Sequence, residues 1–534
     1  MKKDIDCVIV GYLTTPLQKL LDQARTMQNY SGAFRYLHLS SINMNGKRID
    51  YPDLFNQVVE KATGKPSDFH ESRLPNLAAL YLASYLKQRH IETEIINFLP
   101  YDERRFKEVL ATKPNLVAIT TTFYYDVAPV KYLVDFVRRE SPDSKIVVGG
   151  PFISQTCKNN PEKSVDFILK QMGADIYVVE AQGEYALSQI CVELRSLKPK
   201  WEKVKNLIFT QDNKIFHRTA VEPEANVLDD GAIDYSLFPS EDILPIAPLR
   251  AARSCPFKCS FCNFPVLAGV HEVMSLTVLE KQLDYLSSIG VTQLSFIDDT
   301  FNVPRKRFQE LCRMMIRKNY GFRWICQFRC GNATDEDFDL LAEAGCEGVL
   351  LGIESGHPDI LRFMNKGATP EKYRKGIAKF REKNIVSFAS FIVGFPGETD
   401  ETFETTKKFI EETAPDYYVL EPYFCDSRAP IMQQSGTFGL KGGGYSWQHN
   451  TMDWKKAIDL VERGYHSISR SVIMPPLTAE YFWFYLLGQG FSRKKVDMFF
   501  AIASKMLVAS LKDNDEKPSH EALMNELVAL FKEE

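Results

Sequence analysis

Over the first two hundred residues, short apolar runs alternate with longer stretches that carry apolar residues at helical spacing. Residues 7–10, 93–98, 116–122, 145–150 and 174–180 read as buried strands, and 76–89, 127–139 and 185–195 as amphipathic helices. Such alternation predicts right-handed βαβ units and a doubly wound, Rossmann-like parallel sheet over residues 1–200, an α/β fold class. One connection breaks the rhythm, because about sixty residues separate the first strand from the first long helix, far beyond a usual βα loop. It holds Tyr36, His38, Arg48, Tyr51, His70 and Arg73, and it is expected to be a functional loop near the carboxyl ends of the strands, where open α/β sheets bind ligands.

Residues 206–219 read as a β-hairpin turning at Asn213, and 221–248 carry prolines and paired aspartates without a period, so 201–247 is assigned to a hairpin and linker. Strands are then expected at 293–298, 322–329, 348–354, 386–394 and 417–422 with helices between them, a partial (β/α) barrel over 248–430. After Pro430 a glycine-rich stretch, 436–445, gives way to helical, aromatic-rich segments, which predicts a small helical C-terminal domain over 431–534.

Composition sharpens this outline. With 534 residues, 45% hydrophobic and 25% charged, the chain has room for several globular domains and resembles neither a disordered nor a fibrous protein. A net charge of −4 supplies no global field for a polyanion, so no nucleic-acid partner is expected. No apolar run approaches the roughly 20 residues that span a bilayer, and Asp4 and Asp6 interrupt what would be the apolar part of a secretory signal. A cytoplasmic protein without a membrane partner is expected. Eleven cysteines, scattered except for one tight trio, make poor disulfide arithmetic and suit a reducing compartment.

That trio is Cys255, Cys259 and Cys262, a C-x3-C-x2-C loop containing Pro256 just before a helix. Structural zinc is usually held by four ligands, and no nearby Cys or His completes such a set. Three thiolates suit a [4Fe–4S] cluster with one open iron, since a cubane is otherwise held by four cysteines. Zinc, or cysteines that are merely buried, is the alternative. Cys326 and Cys330, four apart on a strand pattern, share one face, with Arg329 on the other. They read as small buried hydrophobes, and a second cluster is the lesser alternative.

The trio and several strand ends resemble the radical SAM (S-adenosylmethionine) superfamily. The resemblance places Phe261 beside the adenine, Asp298 and Asp299 near the SAM amino group, Glu354 and Ser355 at the ribose, the backbone around Phe391 at the adenine, and Arg329 near SAM. From the residues alone, Asp298 or Asp299 could equally cap a turn and Glu354 could be an ordinary ion pair.

The domain preceding the trio resembles the cobalamin-binding domain of B12-dependent radical SAM enzymes. Its pieces are Asn76 opening a helix, Thr120, Thr121 and Thr122 after a strand, Gly149 and Gly150 after the next, and Gln182, Gly183 and Glu184 after the last. The resemblance implies that these loops surround the corrin and its nucleotide tail. The Asp-x-His-x-x-Gly pattern of corrinoid proteins is missing: Asp68-Phe-His70 comes nearest, but Arg73 stands where glycine should be, so base-off cobalamin without histidine ligation is expected. At whole-chain level the sequence is similar to the phosphinate P-methyltransferase family of phosphinothricin-type biosynthesis, including the run Trp447-Gln-His-Asn-Thr-Met452. This implies a small-molecule substrate methylated at an unactivated carbon or a phosphinate phosphorus. SAM would serve as both methyl source and radical source, and an electron donor such as flavodoxin or ferredoxin would reduce the cluster. The alternatives are a non-methylating rearrangement or cyclisation and a non-enzymatic corrinoid or redox sensor. Tyr423, Arg428, Trp447 and His449 are candidates for substrate contact or for domain packing.

Overall fold

Runs of β-branched residues buried on both faces assemble into two mainly parallel sheets in a computed structural model, which describes residues 5–13, 17–26, 31–124, 126–224, 226–475, 479–511 and 520–532. The chain divides into two compact units that do not follow its order. The first gathers Met1–Thr15, Ser72–Ile243 and Glu272–Ile289, and the second Pro16–Glu71, Leu244–His271 and Gly290–Glu534.

In the first unit the strands are β1 (Cys7–Tyr12), β2 (Thr93–Phe98), β3 (Leu116–Thr120), β4 (Lys145–Gly149), β5 (Ile176–Val178), β6 (Leu207–Phe209) and β7 (His217–Arg218). Their order is β2-β1-β3-β4-β5-β6-β7, parallel through β5, with β6 and β7 added antiparallel. Val8, Val10, Ile96, Val117, Ile119, Ile146 and Val148 form its core with the helices. β1 lies between β2 and β3, so the order reverses there, and the carboxyl ends of β1 and β3 flank the crevice where doubly wound sheets take ligands. The hairpin turns at Asn213, whose φ of 55° is tolerated by asparagine. Helix Leu276–Ser288, expected as part of the barrel, folds with this unit: Gln282 Nε2 donates to the Ile233 carbonyl at 2.8 Å, and Asp229 Oδ1 accepts from Ser275 N at 2.7 Å.

The second unit is built on β8 (Ile246–Leu249), β9 (Gln293–Phe296), β10 (Arg323–Gln327), β11 (Cys346–Glu354), β12 (Val386–Val393), β13 (Tyr417–Pro422) and β14 (Val472–Ile473), paired parallel in that order. Strands alternating with helices give the partial (β/α) barrel expected. Two boundaries differ. β8 begins inside the stretch assigned to a linker, and its Pro248 is admissible because β8 is an edge strand, where a missing N–H costs no ladder bond. The C-terminal region is not a separate helical domain, since β14 extends the barrel sheet beside β13.

Residues 16–71 are no structureless loop and fold with the second unit. They contain helices Leu17–Arg25, Gly32–Leu39 and Tyr51–Thr63 and the hairpin strands Ile42–Met44 and Lys47–Ile49. The third helix starts at Asp50, whose side chain accepts from Asp53 N, carries Pro52 in its first turn and ends at Gly64 in the left-handed region. Its buried Phe55 meets the rings of Phe482, Phe491, Phe499 and Phe531 at 5.0–5.7 Å. Among the described residues no helix is long and apolar enough to cross a membrane. Asp4, used above with Asp6 against a secretory signal, lies outside the described residues.

Candidate active site and cofactor-binding loops

The cysteine loop leaves β8 and is shaped by backbone constraints. Ser254 takes φ 66°, and its hydroxyl donates to the Gly269 carbonyl at 2.7 Å. From the other side the chain after helix Pro358–Phe363 clasps the loop. Ser260 N donates to the Met364 carbonyl and Ser260 Oγ to the Phe363 carbonyl, each at 2.8 Å, and Asn365 Nδ2 donates to the Lys258 carbonyl at 2.7 Å. Cys259 is buried, while Cys255 and Cys262 are half-buried, and all three are free thiols. Cys255 Sγ lies 3.3 Å from Thr300 Oγ1. Burial pushes the Cys262 thiol up, and the nearby Cys259 and Cys255 push it the same way, so the three sulfurs sense one another. Among the described residues no group of three or more His, Cys, Asp or Glu side chains could hold a single metal ion. Ligands to separate irons of a cubane stand farther apart than ligands to one ion, and three thiols from one loop match a cluster with an open corner.

Around this loop sit most of the acidic and basic residues that the sequence nominates. Arg329 is buried, with its Cζ 3.6 Å from the Phe257 ring centroid and its Nη1 3.9 Å from Cys259 Sγ. Its Nη2 donates to the Lys366 carbonyl, and its Nε has no partner. Lys366, which sequence reasoning missed, is buried with its Nζ 2.7 Å from Glu354 Oε1 and 5.6 Å from the Phe261 ring centroid. Glu354 is thus ion-paired, and it holds φ 70° beside an irregularity between β11 and β12. Non-glycine residues in that region are uncommon and cluster at functional sites.

Asp298 does not reach outward with both oxygens: Oδ1 accepts from Ala251 N and Ala252 N at 2.7 and 2.8 Å, fixing the approach to the cysteine loop. Its Oδ2 is buried without a partner, and burial pushes the carboxyl to about 7. Asp299 is half-buried and pushed to about 6 by burial, opposed by the charge of Arg250. Ser355 Oγ lies 3.1 Å from Thr406 Oγ1 and accepts from His357 N, so its hydroxyl ties β11 to helix Asp400–Thr413. Phe391 is fully buried against Phe409, and its backbone lies within β12, in register with Glu354 on one side and Leu420 on the other. The buried, unpartnered Asp298 Oδ2 and Arg329 Nε fit a zwitterionic ligand beside the thiols.

Two readings of strand direction change. β10 ends at Gln327 and a 3-10 turn begins at Cys330, so the period of two does not run from Cys326 to Cys330. Cys326 is buried beside Cys346, whereas a Cβ on Gly376 would meet Cys330 Sγ at 2.5 Å. The two thiols therefore have separate surroundings, and Arg329 turns toward the cysteine loop. Trp447 and His449 are packing residues: Trp447 Nε1 donates to the Tyr423 carbonyl at 2.7 Å, and the two rings stack at 5.1 Å. Tyr423 is itself buried against Trp447 and Phe395, and Arg428 pairs with Asp426, which accepts from Asn263 Nδ2.

In the first unit the carboxyl ends of the strands carry the residues that the resemblance assigns to a cobalamin cradle. Asn76 caps helix Leu77–Lys87 by accepting from Ala79 N, and its buried Nδ2 has no partner. Thr120 Oγ1 donates to the Gly11 carbonyl and Thr121 Oγ1 to the Gly149 carbonyl, each at 2.8 Å, so these hydroxyls brace the strand ends. Thr122 and Phe123 stay exposed. Gly150 has φ 105°, and a Cβ on Gly183 would stand 2.6 Å from Val178 Cγ1, which is why glycine occupies both turns. The Gln182 carbonyl and the buried Glu184 carboxylate both accept from Asn226 Nδ2. Side-chain-free turns and the orphaned Asn76 amide suit a broad ligand with hydrogen-bonding edges such as a corrin. His70, nearest to the corrinoid pattern, folds with the second unit, its Nδ1 3.4 Å from Glu71 Oε2.

Comparison with known proteins matches two families to successive stretches of the chain. The B12 binding domain family matches residues 70–190 and the Radical SAM superfamily residues 250–410. An uncharacterized methyltransferase of Pyrococcus horikoshii is 27% identical over 360 residues, 64% of this chain and 74% of that protein. The anaerobic magnesium-protoporphyrin IX monomethyl ester cyclase of Rubrivivax gelatinosus is 28% identical over 63% of this chain, which spans 62% of the cyclase's length. The fold is shared with the radical S-adenosylmethionine methyltransferase TsrM from Kitasatospora setae, with a TM-score of 0.61 at 17% identity, over 84% of this chain and 97% of that one. The chain thus joins a B12-binding domain to a radical SAM domain, and its cofactors are cobalamin, SAM and a [4Fe–4S] cluster.

Proposed function

We propose that the chain is a cobalamin-dependent radical SAM methyltransferase acting on a small natural-product-type molecule, at an unactivated carbon or a phosphinate phosphorus. The observation that carries this reading is the pairing, in one chain, of a B12-binding domain with a radical SAM domain. A radical generator alone would need no corrinoid. When bound, the cofactors supply the hard chemistry: a radical from SAM at the cluster and a transferable methyl from cobalamin. The protein's share is to bind and orient them. Cys255, Cys259 and Cys262 would hold the cluster. Asp298, Asp299, Arg329, Glu354, Ser355, Phe261 and the backbone at Phe391 would line the SAM site, where buried unpaired donors and acceptors find partners in its charged groups. Asn76, Thr120, Thr121, Thr122, Gly149, Gly150, Gln182, Gly183 and Glu184 would surround cobalamin, held base-off and without His70. The partners of this reading are the small substrate and a flavodoxin- or ferredoxin-like electron donor, in the cytoplasm.

Turnover with SAM labelled in its methyl group tests the reading. Label is expected in the product, with about two SAM consumed per methyl, one giving S-adenosylhomocysteine and one 5'-deoxyadenosine, as the two cofactor roles require. Deoxyadenosine formed with the true substrate while no label leaves SAM would overturn it. The similarity to a cyclase favours, as the second reading, a ring-forming reaction without methylation. The cysteine assignment has its own check: Cys255→Ala, Cys259→Ala and Cys262→Ala should each lose cubane iron and SAM cleavage, whereas replacing Cys326 and Cys330 together should leave iron content unchanged.

A further inference from the structure

Arg329 touches the cysteine loop without being one of its thiols. We propose that Arg329 sets the reduction potential of the cluster, placing a permanent cation and an N–H donor against the sulfur of Cys259. The proposal rests on the assignment of the cluster to Cys255, Cys259 and Cys262.

The geometry is constrained at each end of the side chain. The Arg329 peptide is clamped by Asn302, whose Oδ1 accepts from Arg329 N and whose Nδ2 donates to its carbonyl, both at 3.0 Å. The guanidinium lies 3.6 Å from the Phe257 ring centroid, which fixes its plane, and Phe257 is itself part of the cysteine loop, between Cys255 and Cys259. Its Nη2 is held by the Lys366 carbonyl, which leaves Nη1 at 3.9 Å from Cys259 Sγ. The neighbouring cation is spoken for, because Lys366 Nζ is paired with Glu354 at 2.7 Å. Within the protein the Arg329 fork meets a carbonyl and a sulfur, so in the absence of SAM the Cys259 thiolate is the anion nearest its charge.

The consequence follows from electrostatics. A low-potential donor such as dithionite or flavodoxin gives one electron to the oxidised [4Fe–4S]2+ cluster, which becomes [4Fe–4S]1+; no bond breaks and no proton moves. The added negative charge spreads onto the sulfurs, and a buried cation about 4 Å away stabilises the reduced form more than the oxidised one. Hydrogen bonds to the sulfurs and net charge are among the levers that set such potentials. Arg329 therefore raises the midpoint and brings the cluster within reach of its donor.

The test is a potentiometric titration of the full chain, anaerobically reconstituted with iron and sulfide, with SAM left out and the reduced cluster followed by electron paramagnetic resonance. Arg329→Gln is expected to hold wild-type iron and sulfide and to titrate at a more negative potential. Arg329→Lys, which keeps the charge but loses the planar fork, should lie between the two. Phe257→Leu, which frees the guanidinium from its ring, should shift in the same direction by less. A wild-type midpoint in Arg329→Gln at full iron content overturns the proposal. If Arg329→Gln fails to hold iron, an unshifted midpoint in Phe257→Leu overturns it instead. A wild-type chain that binds no iron overturns the cluster assignment and, with it, the proposal.

Discussion

At the exit of β12 the peptide of Gly394 is held from both sides. Its N–H donates to Glu398 Oε2, and its carbonyl lies 3.1 Å from His449 Nε2, whose other ring nitrogen is 3.0 Å from Thr451 Oγ1. Glu398 is 1% exposed, its Oε1 has no partner, and burial pushes its carboxyl to about 8. Burial also holds His449 below the ordinary imidazole range. The signs are opposite. A raised carboxyl contributes stability that is complete below its unfolded pKa, about 4.3, and lost as pH rises through about 8. A depressed histidine contributes stability present above its unfolded pKa, about 6.5, and lost as pH falls below it. Glu398→Gln keeps an acceptor for Gly394 N–H and removes the titration, so it should unfold at higher denaturant than the wild type at pH 8, by at least about 1–2 kcal/mol, and gain little at pH 4. Parallel stability curves for the two proteins across that range would show that Glu398 does not titrate as described.

Among elements, the turn into helix Leu77–Lys87 hangs on one side chain of β2. Asn97 Nδ2 donates to the Ser72 and Leu74 carbonyls at 3.0 Å, and its Oδ1 accepts from Asn76 N at 2.6 Å. Asn97→Ala strands all three groups and should cost about 2–3 kcal/mol. It also releases Asn76, so binding of hydroxocobalamin, followed by its absorption spectrum, should weaken about tenfold, a 1.4 kcal/mol change. Lower stability with unchanged affinity would remove Asn76 from the cradle. The same scale explains what the sequence disclosed. Thr93–Phe98 and Tyr417–Pro422 end where expected because their apolar runs are bounded by breaking residues, and the cysteine trio is legible because its spacing is local. Helix Tyr51–Thr63 also carried local signals in Asp50, Pro52 and Gly64, yet its aromatic partners begin more than four hundred residues later, beyond any window of periodicity. Arg329 was read as facing away because alternation was extended past Gln327, where the strand stops. Asn365 gave no signal of its own, since its role depends on a clasp made across about a hundred residues of chain, and Lys366 gave none because its partner Glu354 sits at the end of another element.

At the scale of the molecule, each compact unit draws on both halves of the chain, and this decides how it can be divided. A cut between residues 247 and 248, the boundary read from the sequence, divides strand β8 and does not separate the two units either, because 16–71 stays with the second unit and 272–289 with the first. A chain of 248–534 lacks Phe55, which is fully buried and reaches Phe482, Phe491, Phe499 and Phe531. Removing one such ring costs about 3–5 kcal/mol, and the whole helix is missing, so the exposed aromatic face should bind the dye ANS and unfold without a sharp transition. A chain of 1–247 in turn lacks helix Leu276–Ser288 and its cap, whose Ser275 N donates to Asp229 and whose Gln282 donates to the Ile233 carbonyl. Neither half should fold alone, and expressing the two together should restore a soluble pair, because each then supplies the segment the other needs. Phe55→Ala in the full chain isolates the aromatic contribution and should lower the unfolding free energy by a similar 3–5 kcal/mol. A 248–534 chain that unfolds cooperatively without binding ANS would show that the second unit is complete without residues 16–71, and that the helix Tyr51–Thr63 rests on its surface as an accessory.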